Sequence, residues 1–132
     1  MADPDPLQSA AVDEFLGLLG FTPPVAGGEV QWPLRLAFEH RGRLYLDRQS
    51  TGLLMYLAAP MADDGLPHWR LALDLCHPRH RYPYDVRAGL HSGPEGDELV
   101  FGLLLPSGVR ATDLTQGLDL LTRLHARMRD GA

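Results

Sequence analysis

Two short runs in this chain have no polar side: Leu53-Leu54-Met55-Tyr56-Leu57-Ala58-Ala59 and Leu99-Val100-Phe101-Gly102-Leu103-Leu104-Leu105. Turn residues bound both runs, and their length suits a strand better than a helix. They read as strands that are apolar on two faces. A single layer of helices covers only one face of a sheet. The other face of these strands then needs a further cover, and a partner chain would supply it.

At 132 residues the chain is expected to form one domain, 1–132, with 1–5 disordered and 130–132 frayed. The formal net charge of −5 argues against nucleic acid as the main partner, because phosphate binding needs clustered Lys and Arg. Cys76 is the only cysteine, so no intrachain disulfide can form. Met1-Ala2-Asp3-Pro4-Asp5-Pro6 is acidic and lacks the basic and apolar regions of a signal peptide. No apolar stretch approaches the ~18 residues that cross a bilayer. A cytoplasmic location without membrane insertion is the expectation.

Asp5-Pro6-Leu7-Gln8 is a helix start, with Asp5 as cap and Pro6 in the first turn. Leu7, Ala11, Phe15 and Leu18 form a stripe that Val12, Leu16 and Leu19 widen, and Gly20 is placed to end the helix. A Pro/Gly loop covers 21–28. Leu34, Leu36 and Phe38 alternate with Arg35, Ala37 and Glu39, which reads as a strand with one buried face. A turn at His40-Arg41-Gly42 leads to a returning strand, 43–47, with Leu44 and Leu46 on one side and Tyr45 on the other. The run 53–59 completes a three-stranded meander, and Pro60 stops it.

Segment 62–80 fits two readings. Leu66, Trp69, Leu73 and Cys76 have helical spacing, while Trp69, Leu71, Leu73 and Leu75 alternate as in a strand. Residues 85–91 alternate as a strand, 92–97 form a hairpin loop, and the run 99–105 follows. Thr112 is placed to cap a last helix whose inner positions are Leu114, Leu118, Leu121 and Leu124 or Met128, with Leu120 at the flank.

The chain has no phosphate-binding Gly-rich loop followed by Lys-Ser/Thr and no Gly-x-Ser-x-Gly elbow. The best local candidate for chemistry is Cys76-His77-Pro78-Arg79-His80, with Asp74 upstream, which could contribute ligands to zinc or copper. The same residues also fit a cysteine in an apolar interior followed by two histidines in a polar loop. His40, His91 and His125 are scattered and read as a solvated turn, strand and helix surface. Asp63-Asp64 and Glu95, Asp97 and Glu98 read as solubilising loop clusters, since they lack the alternating offsets of a calcium loop. Trp32 and Trp69 suit a core or an interface, and Trp69 an interface in particular. No cofactor, no metal and no enzymatic activity are expected.

The layout of helix, three strands, middle segment, two strands and helix resembles the class I type III secretion chaperones, the Tir-chaperone (CesT-like) family, and within it the SycN-type branch that serves the secretion gatekeeper. The residues that carry the resemblance are Phe15-Leu16-Gly17-Leu18-Leu19-Gly20-Phe21-Thr22-Pro23, Gly42-Arg43-Leu44-Tyr45-Leu46, Leu54 to Ala58, Val86-Arg87-Ala88-Gly89-Leu90, and Leu99-Val100-Phe101 before the Leu-rich last helix. It covers nearly the whole chain. It implies an α+β fold, a twisted antiparallel sheet of about five strands with helices on one face, in the order α-β-β-β-α-β-β-α. It also implies a bacterial cytoplasmic protein that binds the N-terminal segment of a secreted effector or gatekeeper in extended form and keeps it export-competent without ATP. A homodimer, or a heterodimer with a second small chaperone, is part of that expectation. Carried onto this chain, the dimer positions are Leu66, Trp69, Leu73, Val86, Leu90 and Phe101, and the client positions are Leu16, Leu19, Tyr45, Leu54 and Tyr56. An adaptor or regulatory domain of similar fold, unrelated to secretion, is the alternative.

Overall fold

A computed structural model of the chain describes residues 6–20, 34–38, 42–60, 66–93 and 96–130. The Asp5 cap, the loop 21–28, Trp32, the turn at His40 and Arg41, the pair Asp63-Asp64 and Glu95 lie outside them.

The element order is α1 (Pro6–Leu18), β1 (Leu34–Phe38), β2 (Gly42–Gln49), β3 (Gly52–Pro60), α2 (Leu66–Leu75), β4 (Val86–Gly93), β5 (Gly96–Pro106) and α3 (Ala111–Asp130). A single 3₁₀ turn, Pro78–His80, follows α2. The strands form one five-stranded sheet in the order β1-β2-β3-β5-β4, and every neighbouring pair is antiparallel. The expected fold class and element order are those observed.

Register assigns the faces. Leu36, Leu44, Leu57, Phe101 and Ala88 stand directly opposite one another across the five strands, and so do Leu34, Leu46, Met55, Leu103 and Val86. Facing residues in a ladder point to the same side. These two rows form the inner face, which α3 covers along β3 and β5. Helix α1 packs on α3, and α2 touches α3 and β4. The core joins Phe15, Leu16, Phe101, Met55, Leu75 and Leu114 in one buried cluster. Gly117 lets α3 approach closely: a Cβ there would stand 3.1 Å from the Met55 sulfur.

Segment 66–75 is helical. Its buried positions are Ala72 and Leu75, with Trp69 and Cys76 partly buried, a spacing of three to four residues. Pro67 falls in the first turn, where its missing N–H costs nothing. Leu73 is on the other side and 48% exposed. Helix α3 begins two residues earlier than the Thr112 cap implied, with Arg110 in the cap position. The Arg110 N–H donates to Asp113 Oδ2 at 2.9 Å, the backward half of a capping box, and Thr112 is exposed. Gly20 has φ +84 and its N–H donates to the Gly17 carbonyl, so it closes α1 as expected.

Candidate protein-binding face

The side of the sheet away from α3 carries the alternate residues of each strand. One outer row reads Arg35, Tyr45, Tyr56, Gly102, Arg87 across all five strands. The next reads Ala37, Arg43, Ala58, Val100, Gly89. Leu54 faces Leu104 in a third. Tyr45 and Tyr56 stack with ring centroids 4.8 Å apart, and the Arg35 guanidinium carbon stands 6.0 Å from the Tyr45 ring centre. Both tyrosines, Leu54 and Val100 are half-buried, and Leu104 is 42% exposed. This is an apolar, aromatic surface with arginines at both ends. Burial, followed by the Asp47 charge, pushes the Tyr56 hydroxyl up, so it stays protonated and can donate.

A polar cluster borders it. Arg43 on β2 reaches past Ala58 to Glu98 on β5, and His91 on β4 lies 3.2 Å from the same carboxylate. Glu98 is buried on the outer face rather than solvated in a loop, which corrects the sequence reading. Burial pushes its carboxyl up, but hydrogen bonds from Arg43 and His91 and their charges outweigh this and leave it below the usual carboxylate range.

Of the expected client positions, Tyr45, Leu54 and Tyr56 lie together on the outer face. Leu16 does not. It is 1% exposed and part of the core, on a helix that packs against α3. Leu19 is half-buried, and the exposed apolar residue at that end of α1 is Leu18, 68% exposed.

The expected dimer positions divide in the same way. Phe101 and Val86 are on the inner face and buried within one chain, Phe101 completely, so neither offers a surface to a second chain. The residues of the 99–105 run that need another cover are Val100, Gly102 and Leu104, not Phe101. Leu66 begins α2, Trp69 packs partly on the core, and Leu73 and Leu90 are exposed on α2 and β4, two elements in contact.

The segment around Cys76 lines an open cleft of ≈ 290 Å³ with Tyr82, Tyr84 and Val86. Burial, then the charge of Asp85, pushes the Cys76 thiol up to about 11. It is therefore protonated at neutral pH and a poor nucleophile or ligand. His77 Nδ1 accepts the Arg79 N–H at 3.1 Å and so caps the 3₁₀ turn. His80 Nε2 donates to the Asp74 carbonyl at 3.0 Å, and its ring stacks on Tyr82. Among the described residues no three His, Cys, Asp or Glu converge as a metal site.

His125 is the residue that sequence reasoning most misplaced. It is 4% exposed, and its Nε2 donates to the Leu57 carbonyl at 2.8 Å. The available signal was its spacing of four from Leu121 and three from Met128, which puts it on the inner stripe of α3.

No protein-family model matches the chain, and no curated protein matches it. Among solved structures it is similar to a chain of the heterodimeric ExoU–SpcU complex from the type III secretion system of Pseudomonas aeruginosa, with TM-score 0.60, 22% identity, and 89% of this chain and 93% of that chain covered. It is also similar to YbjN, a proposed transcription regulator from E. coli, with TM-score 0.53, 18% identity, and 91% and 87% covered. These likenesses concern the fold.

Proposed function

We propose that this chain is a non-catalytic, chaperone-like binding protein of a type III secretion system. It holds an extended N-terminal segment of a secreted effector or gatekeeper on the outer face of its sheet and keeps that segment soluble and export-competent. The observation that carries this reading is an aromatic, apolar sheet face left uncovered by the helices, on a fold shared with a chain from a secretion complex. Stacked tyrosines supply a large contact area at low conformational cost, on which apolar side chains of an extended segment would anchor.

A second subunit, identical or different, would cover the edge where Leu73 and Leu90 are exposed beside Trp69. Of the expected dimer positions, Leu73 and Leu90 stay in this proposal, and the buried Phe101 and Val86 drop out of it. A bacterial cytoplasmic setting fits it, and among the described residues no helix is long and apolar enough to cross a membrane.

Co-expression with the proteins encoded beside its gene, followed by sizing and native mass spectrometry, tests the proposal. A stable complex with a neighbouring secreted protein is expected. A strict monomer that retains none of them would overturn it. The likeness to YbjN favours a regulatory adaptor as the second reading. A gene neighbourhood without secretion components, and retention of a regulatory protein instead, would select that alternative.

A further inference from the structure

The outer row has a chemical pattern of its own. Its centre is apolar, its ends are cationic, and it has a notch. Arg35 on β1 and Arg87 on β4 end the row on the two edge strands, and both are exposed. Arg87 makes a solvent-exposed contact with Asp85 at 3.5 Å, and Arg35 sits over the Tyr45 ring. Between them come the stacked tyrosines and then Gly102, which leaves a gap in the row beside Tyr56. A Cβ at Gly102 would stand 3.2 Å from Tyr56 Cβ, so a side chain there would crowd Tyr56 and fill the gap only if Tyr56 gave way by a few tenths of an ångström. Gly89 on β4, next to it, adds no side chain, and a Cβ there would meet nothing within 4 Å. Val100 and Leu104 flank the gap along β5.

Charge separates this face from the rest of the chain. The protein carries −5 overall, yet the outer face of the described strands has Arg35, Arg43 and Arg87 against Asp47 and Glu98. Glu98 is neutralised by Arg43 and His91. Asp47 is half-buried, one row away from the tyrosines. The arginines at the ends of the tyrosine row thus stand against an acidic background, with Asp47 one row from its centre and the exposed Asp85 beside Arg87.

Resting on the proposed function, we propose that this row selects client segments of one chemical class: an extended protein segment that crosses the strands, seats an apolar side chain in the Gly102 notch, and places an acidic residue at each arginine. Strands spaced by about 4.8 Å put the ends of a five-strand row about 19 Å apart, which an extended chain rising about 3.3 Å per residue spans in about six residues. Acidic residues spaced five to seven apart around an apolar centre meet both arginines. Asp47 disfavours a further acid at the centre. A net negative protein is a poor scaffold for nucleic acid, so the anionic partner is a polypeptide.

The test is to pan a phage-displayed library of random 12-residue peptides on the full chain, then measure selected peptides by fluorescence anisotropy. Peptides with two Asp or Glu five to seven apart around an apolar residue are expected. The double variant Arg35→Glu/Arg87→Glu, at exposed positions that leave the fold intact, should bind them at least about tenfold more weakly, since two ion pairs become repulsions. Gly102→Ala should weaken them by a smaller factor, with an unchanged melting temperature verifying that the Tyr56 contact at 3.2 Å has been accommodated. Peptides that bind this face, as shown by loss on Tyr56→Asp, but lack the acidic spacing or ignore the charge reversal would overturn the selection rule and leave the proposed function standing. Peptides indifferent to Tyr56→Asp, or none at all, would overturn the rule together with the face it rests on. Equal binding of a 12-nucleotide single strand to the same row would also overturn it.

Discussion

His125 meets Phe101 edge-to-face, with ring centroids 5.0 Å apart and planes at 75°. The contact joins α3 to β5 at the centre of the core and fixes which face of the 99–105 strand is interior. Aromatic edge-to-face pairs add stabilisation beyond area burial. Phe101→Ala should therefore destabilise the single chain by about 3–5 kcal/mol, the usual cost of truncating a buried aromatic. Urea denaturation measures it. A variant of unchanged stability that had lost only its partner would return Phe101 to an interface.

The same histidine sets a pH dependence. Burial holds the His125 imidazole below its ordinary value, the Arg129 charge adds to this, and the bond to the Leu57 carbonyl opposes it in part. The unfolded chain then binds the proton more readily than the native one. Stability from this site is fully present above the unfolded value of about 6.5 and is lost as pH falls toward the lowered native value. Tm should drop between pH 7.5 and 5. His125→Gln, which keeps a donor and removes the titration, should flatten that slope, and an unaltered slope would refute the assignment.

Glu98 adds a second, more acidic step. Its native carboxyl is held below the usual range, so its contribution is present above the unfolded value and is lost as pH falls through the native one. Glu98→Gln should lower stability clearly at pH 7 and little at pH 3. Equal losses at both pH values would mean that the Arg43 and His91 contacts contribute nothing to the fold.

Cys76 should be sluggish. A thiol held at about 11 is almost wholly protonated at pH 8. Labelling of the native protein with a maleimide should run at least about tenfold slower than labelling of the urea-unfolded chain. Equal rates would place the thiol in open solvent.

Much of this fold was legible from local pattern. Alternation around Leu34, Leu36 and Arg35 fixed the faces of β1, and the 3.6-residue stripe of Leu114, Leu121, Leu124 and Met128 marked α3. What local pattern could not supply was the face of strands that are apolar on both sides. Phe101 is interior because Leu57 stands opposite it, and Leu57 because Leu44 does. That chain of pairings passes from β3 to β5 over the whole of α2, a long-range register with no local trace. Glu98 was hidden for the same reason, since its Arg43 partner is 55 residues away. In the candidate site, Tyr45 was readable by alternation with Leu44 and Leu46, whereas Leu54 and Tyr56 rested on the family resemblance. The Gly102 notch and the arginines at both ends emerge only once five strands are aligned.

The central claim is that the outer face binds a partner segment, and retention of that partner by surface variants tests it most directly. Tyr56→Asp and Val100→Asp place a charge on the face without entering the core, and thermal melting verifies that each variant is folded. Co-expressed with the proteins encoded beside its gene, the wild-type chain should purify with a bound partner, and both folded variants should lose most of it. Undiminished retention by both folded variants would contradict the claim.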